Sequence, residues 1–208
     1  MTVETNVVEV KQSGMADPST VGLASFGIAL FTLSFHNAGL LGANDMSVIC
    51  PLALLTSLIH FFAALTGFKK GEVFTALVFG IYGMFWVTYG LIQLLLATKT
   101  FTLDAPALLI FLVAYTIFTV YVFLSSLVTN KAVILTLALL LVVFLLLDFG
   151  LAPVMSGGAP VGNLIVWAGY VGMVDALMAL YISAAILLGT LYGRSVLPVG
   201  PVAVKKAA

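Results

Sequence analysis

Charge is what this chain has least of. Eight basic and eight acidic residues make up only 8% of its 208 residues, against roughly one quarter in an ordinary soluble domain. With 62% hydrophobic residues, such a chain cannot cover a water-facing surface, so it belongs in lipid. The charge balance leaves no basic face for nucleic acid. Cysteine occurs once, at Cys50, which excludes an internal disulfide and a cysteine-based metal cluster. The two histidines, His36 and His60, lie in separate apolar runs with no ligand four residues away, so a zinc site is not expected. No G-x-S-x-G, H-E-x-x-H or Walker loop is present, and neither enzymatic activity nor a cofactor is expected.

What the chain does have is long apolar runs. Six of them reach the ~17–25 residues that a membrane-crossing helix requires. They are continuous, unlike the ~10-residue alternating segments of an outer-membrane barrel. The expected fold is therefore an all-α integral membrane protein with six transmembrane helices. The spans are expected over residues 21–42, 47–66, 73–98, 107–128, 132–151 and 163–192. Residues 67–72 and 153–162 read as loops. Residues 1–16 read as a polar, disordered cytoplasmic tail with no signal-peptide core, residues 17–200 as the transport domain, and residues 201–208 as a second cytoplasmic tail. Asp17-Pro18-Ser19-Thr20 carries helix-opening chemistry.

The basic residues give an orientation. Lys11, Lys69, Lys70, Lys131, Arg194, Lys205 and Lys206 fall on one side of this topology and Lys99 alone on the other. The positive-inside rule then places both termini in the cytoplasm, which requires an even number of spans.

Polar residues inside the spans are the candidate functional groups, because lipid penalises them unless they line a cavity or find partners. His36–Asn37 near the end of the first helix reads either as a pore contact or as an interhelical hydrogen bond. His60, one turn beyond Thr56 and Ser57, reads as a proton relay or as a neutral, locally satisfied histidine. Tyr82, Trp86, Tyr89 and Gln93 share a stripe on the third helix, where a tyrosine hydroxyl could donate to a carboxylate. Tyr115, Thr119 and Ser126 on the fourth helix read as interhelical glue. Asp148 lies near a helix end, within reach of water. Asp175 lies deeper, beside small residues at 169, 172, 176, 179 and 183, and is a candidate proton site together with His60.

Four blocks together resemble one family. They are Asp17-Pro18-Ser19-Thr20-Val21-Gly22-Leu23, similar to an NPAPLGL signature; Phe68-Lys69-Lys70-Gly71; Tyr82-Gly83-Met84-Phe85-Trp86; and Tyr192-Gly193-Arg194-Ser195-Val196-Leu197-Pro198-Val199-Gly200, similar to a terminal FGRTVLPIG. In this order they are similar to the acetate uptake transporters, which include the bacterial succinate–acetate permeases. Asp17, Ser19 and Thr20 stand where the signature has Asn, Ala and Pro. The resemblance implies six helices around a pore inside each protomer, a homohexamer in the plasma membrane, and acetate or a similar small monocarboxylate as cargo. It implies a hydrophobic constriction of Phe26, Tyr82 and Leu140, with pore contacts at His36, Asn37, His60, Trp86 and Ala179. Counting along the helices puts the three constriction residues ~9–15 Å in from the cytoplasmic ends, so they could form one narrow, mostly dry ring. Channel and proton symport both fit, and a channel for small neutral solutes such as ammonia or urea is the alternative.

Overall fold

The computed structural model describes residues 15–202; residues 1–14 and 203–208, which carry most of the two expected tails, lie outside the described residues. The described chain forms α1 (Pro18–Asn37), α2 (Met46–Lys70), α3 (Val73–Ala97), α4 (Ala105–Ser126), α5 (Lys131–Leu151) and α6 (Gly162–Tyr192), with a 3-10 turn at Ala152–Ser156. All six helices are long and apolar enough to cross a membrane. Local chemistry sets their starts. Asp17 caps α1 by accepting from the Ser19 N–H at 2.8 Å, and Pro18 occupies the first turn, where its missing N–H is not needed. Asn130 caps α5 by accepting from the Val133 N–H at 3.0 Å.

Most boundaries shift by one to three residues from the sequence expectation, and three differences alter which element holds a named residue or loop. The first helix stops at Asn37, five residues earlier than expected, because Gly39 turns the chain at φ +69° and the Leu40 N–H bonds back to the Phe35 carbonyl. His36 and Asn37 therefore sit in the last turn of α1. Gly67, Phe68, Lys69 and Lys70, expected in a loop, extend α2 up to Gly71. Part of the expected 153–162 loop is the 3-10 turn after α5.

Around the bundle, α3 packs on α2, α2 on α1, α1 on α6, α6 on α5 and α5 on α4. The ring closes between α4 and α3 through aromatic side chains, with little backbone approach: Phe85 stacks on Phe111 at 5.5 Å and Tyr82 meets Phe118 edge-on at 5.1 Å. The backbone of α1 comes close to that of α6. There Gly169 faces Ala38 and Ser34, and a Cβ at that position would lie 2.7 Å from the Ser34 carbonyl oxygen. Phe26, Tyr82, Trp86, Leu140 and Ala179 belong to one buried cluster in the middle of the ring.

Candidate functional site

A cavity of about 630 Å³ opens at the end of the bundle where α1, α3 and α5 begin and α6 ends. Its mouth is lined by Asp17, Thr75, Asn130 and Ser195, and its inner end by Phe26, His60, Tyr82 and Leu140. The depth match follows from helix geometry. Phe26 lies eight residues beyond Pro18, Tyr82 nine beyond Val73, Leu140 nine beyond Lys131, and His60 ten before Lys70. At 1.5 Å per residue all four sit ~12–15 Å from that face. The Phe26 and Tyr82 rings are 6.3 Å apart, and Phe26 and His60 are 6.4 Å apart. Phe26, Tyr82 and Leu140 are each buried, so the layer is apolar and narrow.

The polar atoms of this layer are wired in a definite direction. The Thr119 hydroxyl donates to the Tyr115 carbonyl at 2.7 Å, so its oxygen must receive the hydrogen of Tyr82, 2.8 Å away. In this arrangement Tyr82 donates to Thr119, and its oxygen is left as an acceptor. His60 is held in the same way. Its Nδ1–H donates to the Thr56 carbonyl at 3.0 Å, with the Ser25 hydroxyl oxygen 3.2 Å away, while its Nε2 is buried without a partner. Since a carbonyl can only accept, Nδ1 carries the proton and neutral His60 keeps a bare acceptor at Nε2.

The remaining candidates fall elsewhere. Trp86 packs edge-on against Phe26 at 6.4 Å, outside the cavity lining, with its buried Nε1–H unpartnered. Ala179 is fully buried on α6, also outside the lining. His36 donates from Nδ1 to Asp45 at 2.7 Å, joining the end of α1 to the start of α2 at the opposite face of the bundle. Asn37 lies half-buried beside it. Asp175 is fully buried and both its carboxylate oxygens lack partners. Asp148, expected to reach water, instead accepts from Thr116 on α4 at 2.5 Å and is half-buried. His60 and Tyr82 are therefore brought together at the cavity end, whereas His36, Asn37 and Asp175 are not.

Ser25 was not singled out from sequence: it meets His60 on another helix, so no spacing within a helix could reveal it. Thr119, expected as interhelical glue, does join α4 to α3 through Tyr82. The C-terminal block, quoted above only for its resemblance, also has a structural part. The Gly200 and Val199 carbonyls accept from the first N–H groups of α5 at 2.8 and 3.1 Å, and Tyr181 donates to Pro198 at 2.8 Å. This strap brings Ser195, Leu197 and Val199 to the cavity wall. The left-handed Gly200 between Pro198 and Pro201 was the available signal.

The profile of the GPR1/FUN34/yaaH family matches residues 1–201. The succinate-acetate/proton symporter SatP of Escherichia coli (strain K12) is 31% identical over 189 residues, covering 89% of this chain and 96% of that protein. Ammonia transport outward protein 3 of Saccharomyces cerevisiae is 29% identical over 153 residues, covering 71% of this chain and 56% of that protein. Among solved structures, that of the bacterial acetate channel SatP superposes with a TM-score of 0.79 at 28% identity, over 89% of this chain and 99% of that one.

Proposed function

This chain belongs to the GPR1/FUN34/yaaH family, and from that membership we propose that it is a membrane transporter or channel for acetate and similar small monocarboxylates. The observation that carries the reading is the cavity ending in a buried layer of Phe26, Tyr82 and Leu140 at one depth. Such a layer is too apolar to let hydrated ions through quickly. It suits a cargo with a methyl group to pack on Phe26 and one polar end. The activity is transport, as the transporter and channel names of the relatives support.

The finer assignments belong to the same proposal. Residues 17–200 are the transport domain. Phe26, Tyr82 and Leu140 form the selectivity constriction, and His60 touches the cargo there. The cavity mouth faces the cytoplasm, as does the end of the bundle carrying Lys69, Lys70, Lys131 and Arg194, which puts both termini inside. The protein works as a homohexamer, the state implied by the family resemblance. Conduction of ammonia is the second reading, favoured by the yeast relative named as an ammonia transport outward protein.

Labelled-acetate uptake into proteoliposomes, compared with protein-free vesicles of the same lipid, tests the main reading. Uptake above the protein-free rate, saturable and inhibited by propionate, is expected. Equal rates would remove acetate as the cargo, and a protein-dependent signal for methylammonium alone would put the ammonia reading in its place.

A further inference from the structure

Resting on the acetate reading above, we infer that Asp17 is a specificity-determining residue: its carboxylate stands at the cavity mouth as a charge filter that slows the entry of anions, and of dianions such as succinate more than of acetate. Among the described residues that line the cavity, Asp17 is the one that carries a full charge. It is exposed, so its field acts on a solute still in water at the mouth. Deeper in, the wall is hydrocarbon from Leu23, Val78, Leu137 and Ile182. Walls of low dielectric constant focus the field of a charge into the cleft between them.

Most of what could offset this carboxylate is already engaged. Helix N-termini attract anions through N–H groups that have no partner, and α1 and α5 both start at this mouth. On α1 the Ser19 N–H donates to the Asp17 carboxylate at 2.8 Å, and the Thr20 N–H to the Asp17 carbonyl at 3.3 Å. On α5 the N–H groups of Lys131, Ala132 and Val133 donate to the Gly200 and Val199 carbonyls and to the Asn130 side chain. α3 starts behind a second carboxylate, Glu72, which pairs with Lys70 at 2.7 Å. α6 ends here, so it presents the negative end of its dipole. Lys69, Lys131 and Arg194 are the other described cations of this end, and none of them lines the cavity. At ~8 Å in water, one charge on the cargo and the Asp17 carboxylate repel by about the thermal energy. At low salt, entry of acetate is therefore slowed roughly twofold, and entry of succinate, with two charges, roughly fivefold.

Asp17→Asn isolates the charge. Asparagine caps a helix as well as aspartate does and keeps an oxygen for the Ser19 N–H, so the start of α1 is preserved. Labelled-acetate uptake is measured in proteoliposomes of neutral phosphatidylcholine at constant osmolality, with the protein-free rate subtracted. The two conditions are ~10 mM and ~1 M salt, between which the Debye length falls from about 30 Å to about 3 Å. With both orientations of the protein contributing, Asp17→Asn is expected to exceed the wild type by about 1.5–2-fold at low salt and to equal it at high salt. At low salt the ratio of succinate to propionate concentrations that halve acetate uptake is expected to fall about two- to threefold in the variant. Equal uptake by the two proteins at low salt, a gain that survives high salt, or an unchanged succinate to propionate ratio would overturn the inference while leaving acetate transport intact. Absence of protein-dependent uptake in both proteins would overturn the transport reading and this inference with it. The rise of wild-type uptake from low to high salt needs no variant and decides the matter even if Asp17→Asn fails to fold; a flat wild-type response would overturn the charge filter.

Discussion

Replacing Gly169 by alanine tests the α1–α6 contact that positions Phe26. An added Cβ would collide with the Ala38 amide nitrogen and lie 2.7 Å from the Ser34 carbonyl oxygen and 2.9 Å from the Ala38 Cα, against 3.4 Å or more for an ordinary contact. All three obstructing atoms are backbone, so no rotamer change relieves the overlap, and α1 must retreat by roughly 0.5–1 Å. A gap of that size forfeits about a quarter to a half of the dispersion energy of the atoms it separates. We place the cost near ~3 kcal/mol, the upper end of the range for overpacked cores. Alanine recovers about 1 kcal/mol through its helix propensity. A net loss of about 2 kcal/mol lowers the melting temperature by ~4–8 °C in a chain of this size. Gly80 is the control. A Cβ there would meet only the Ala64 Cβ at 3.6 Å, an ordinary contact, so Gly80→Ala keeps the propensity gain and is expected to melt ~2–4 °C above the wild type. Thermal unfolding in lipid nanodiscs, followed by intrinsic tryptophan fluorescence, reads both variants. If Gly169→Ala melts within a degree of Gly80→Ala, the close approach of α1 to α6 is not what holds the first helix.

Two further outcomes are expected. Phe26→Leu shortens one side of the constriction while keeping packing within ~1.5 kcal/mol of the wild type, so the ratio of butyrate to acetate uptake in proteoliposomes should rise; an unchanged ratio would take Phe26 out of the size filter. Tyr82→Phe and Thr119→Val break the same hydrogen bond from opposite ends, so a double-mutant cycle in thermal stability should show a coupling of about 1 kcal/mol. Strict additivity would mean that Tyr82 does not donate to Thr119, and its hydroxyl would return to the cavity as a donor.

Six spans follow from sequence alone because lipid leaves a helix no alternative. Every backbone group must be satisfied within the span, so an apolar run of sufficient length can only be helical. Depth follows too. A rise of 1.5 Å per residue from each helix start puts Phe26, Tyr82 and Leu140 at one level before any coordinates exist. Local chemistry at the ends is legible in part: Asp17-Pro18 announces the start of α1, whereas its stop depended on Gly39 and not on where apolarity ran out. What sequence could not supply is the partner of each polar side chain. His36 looked like an intramembrane group until the fold joined it to Asp45 at the end of the bundle. Asp148 looked free to reach water until α4 brought Thr116 against it. Tyr82 looked like a donor to the cargo until Thr119 took its hydrogen. The physical reason is the same in all three cases. Periodicity fixes the height and the face of a residue on its own helix, while the direction of a hydrogen bond is fixed by an atom on another helix, and only the tertiary structure decides which atom that is.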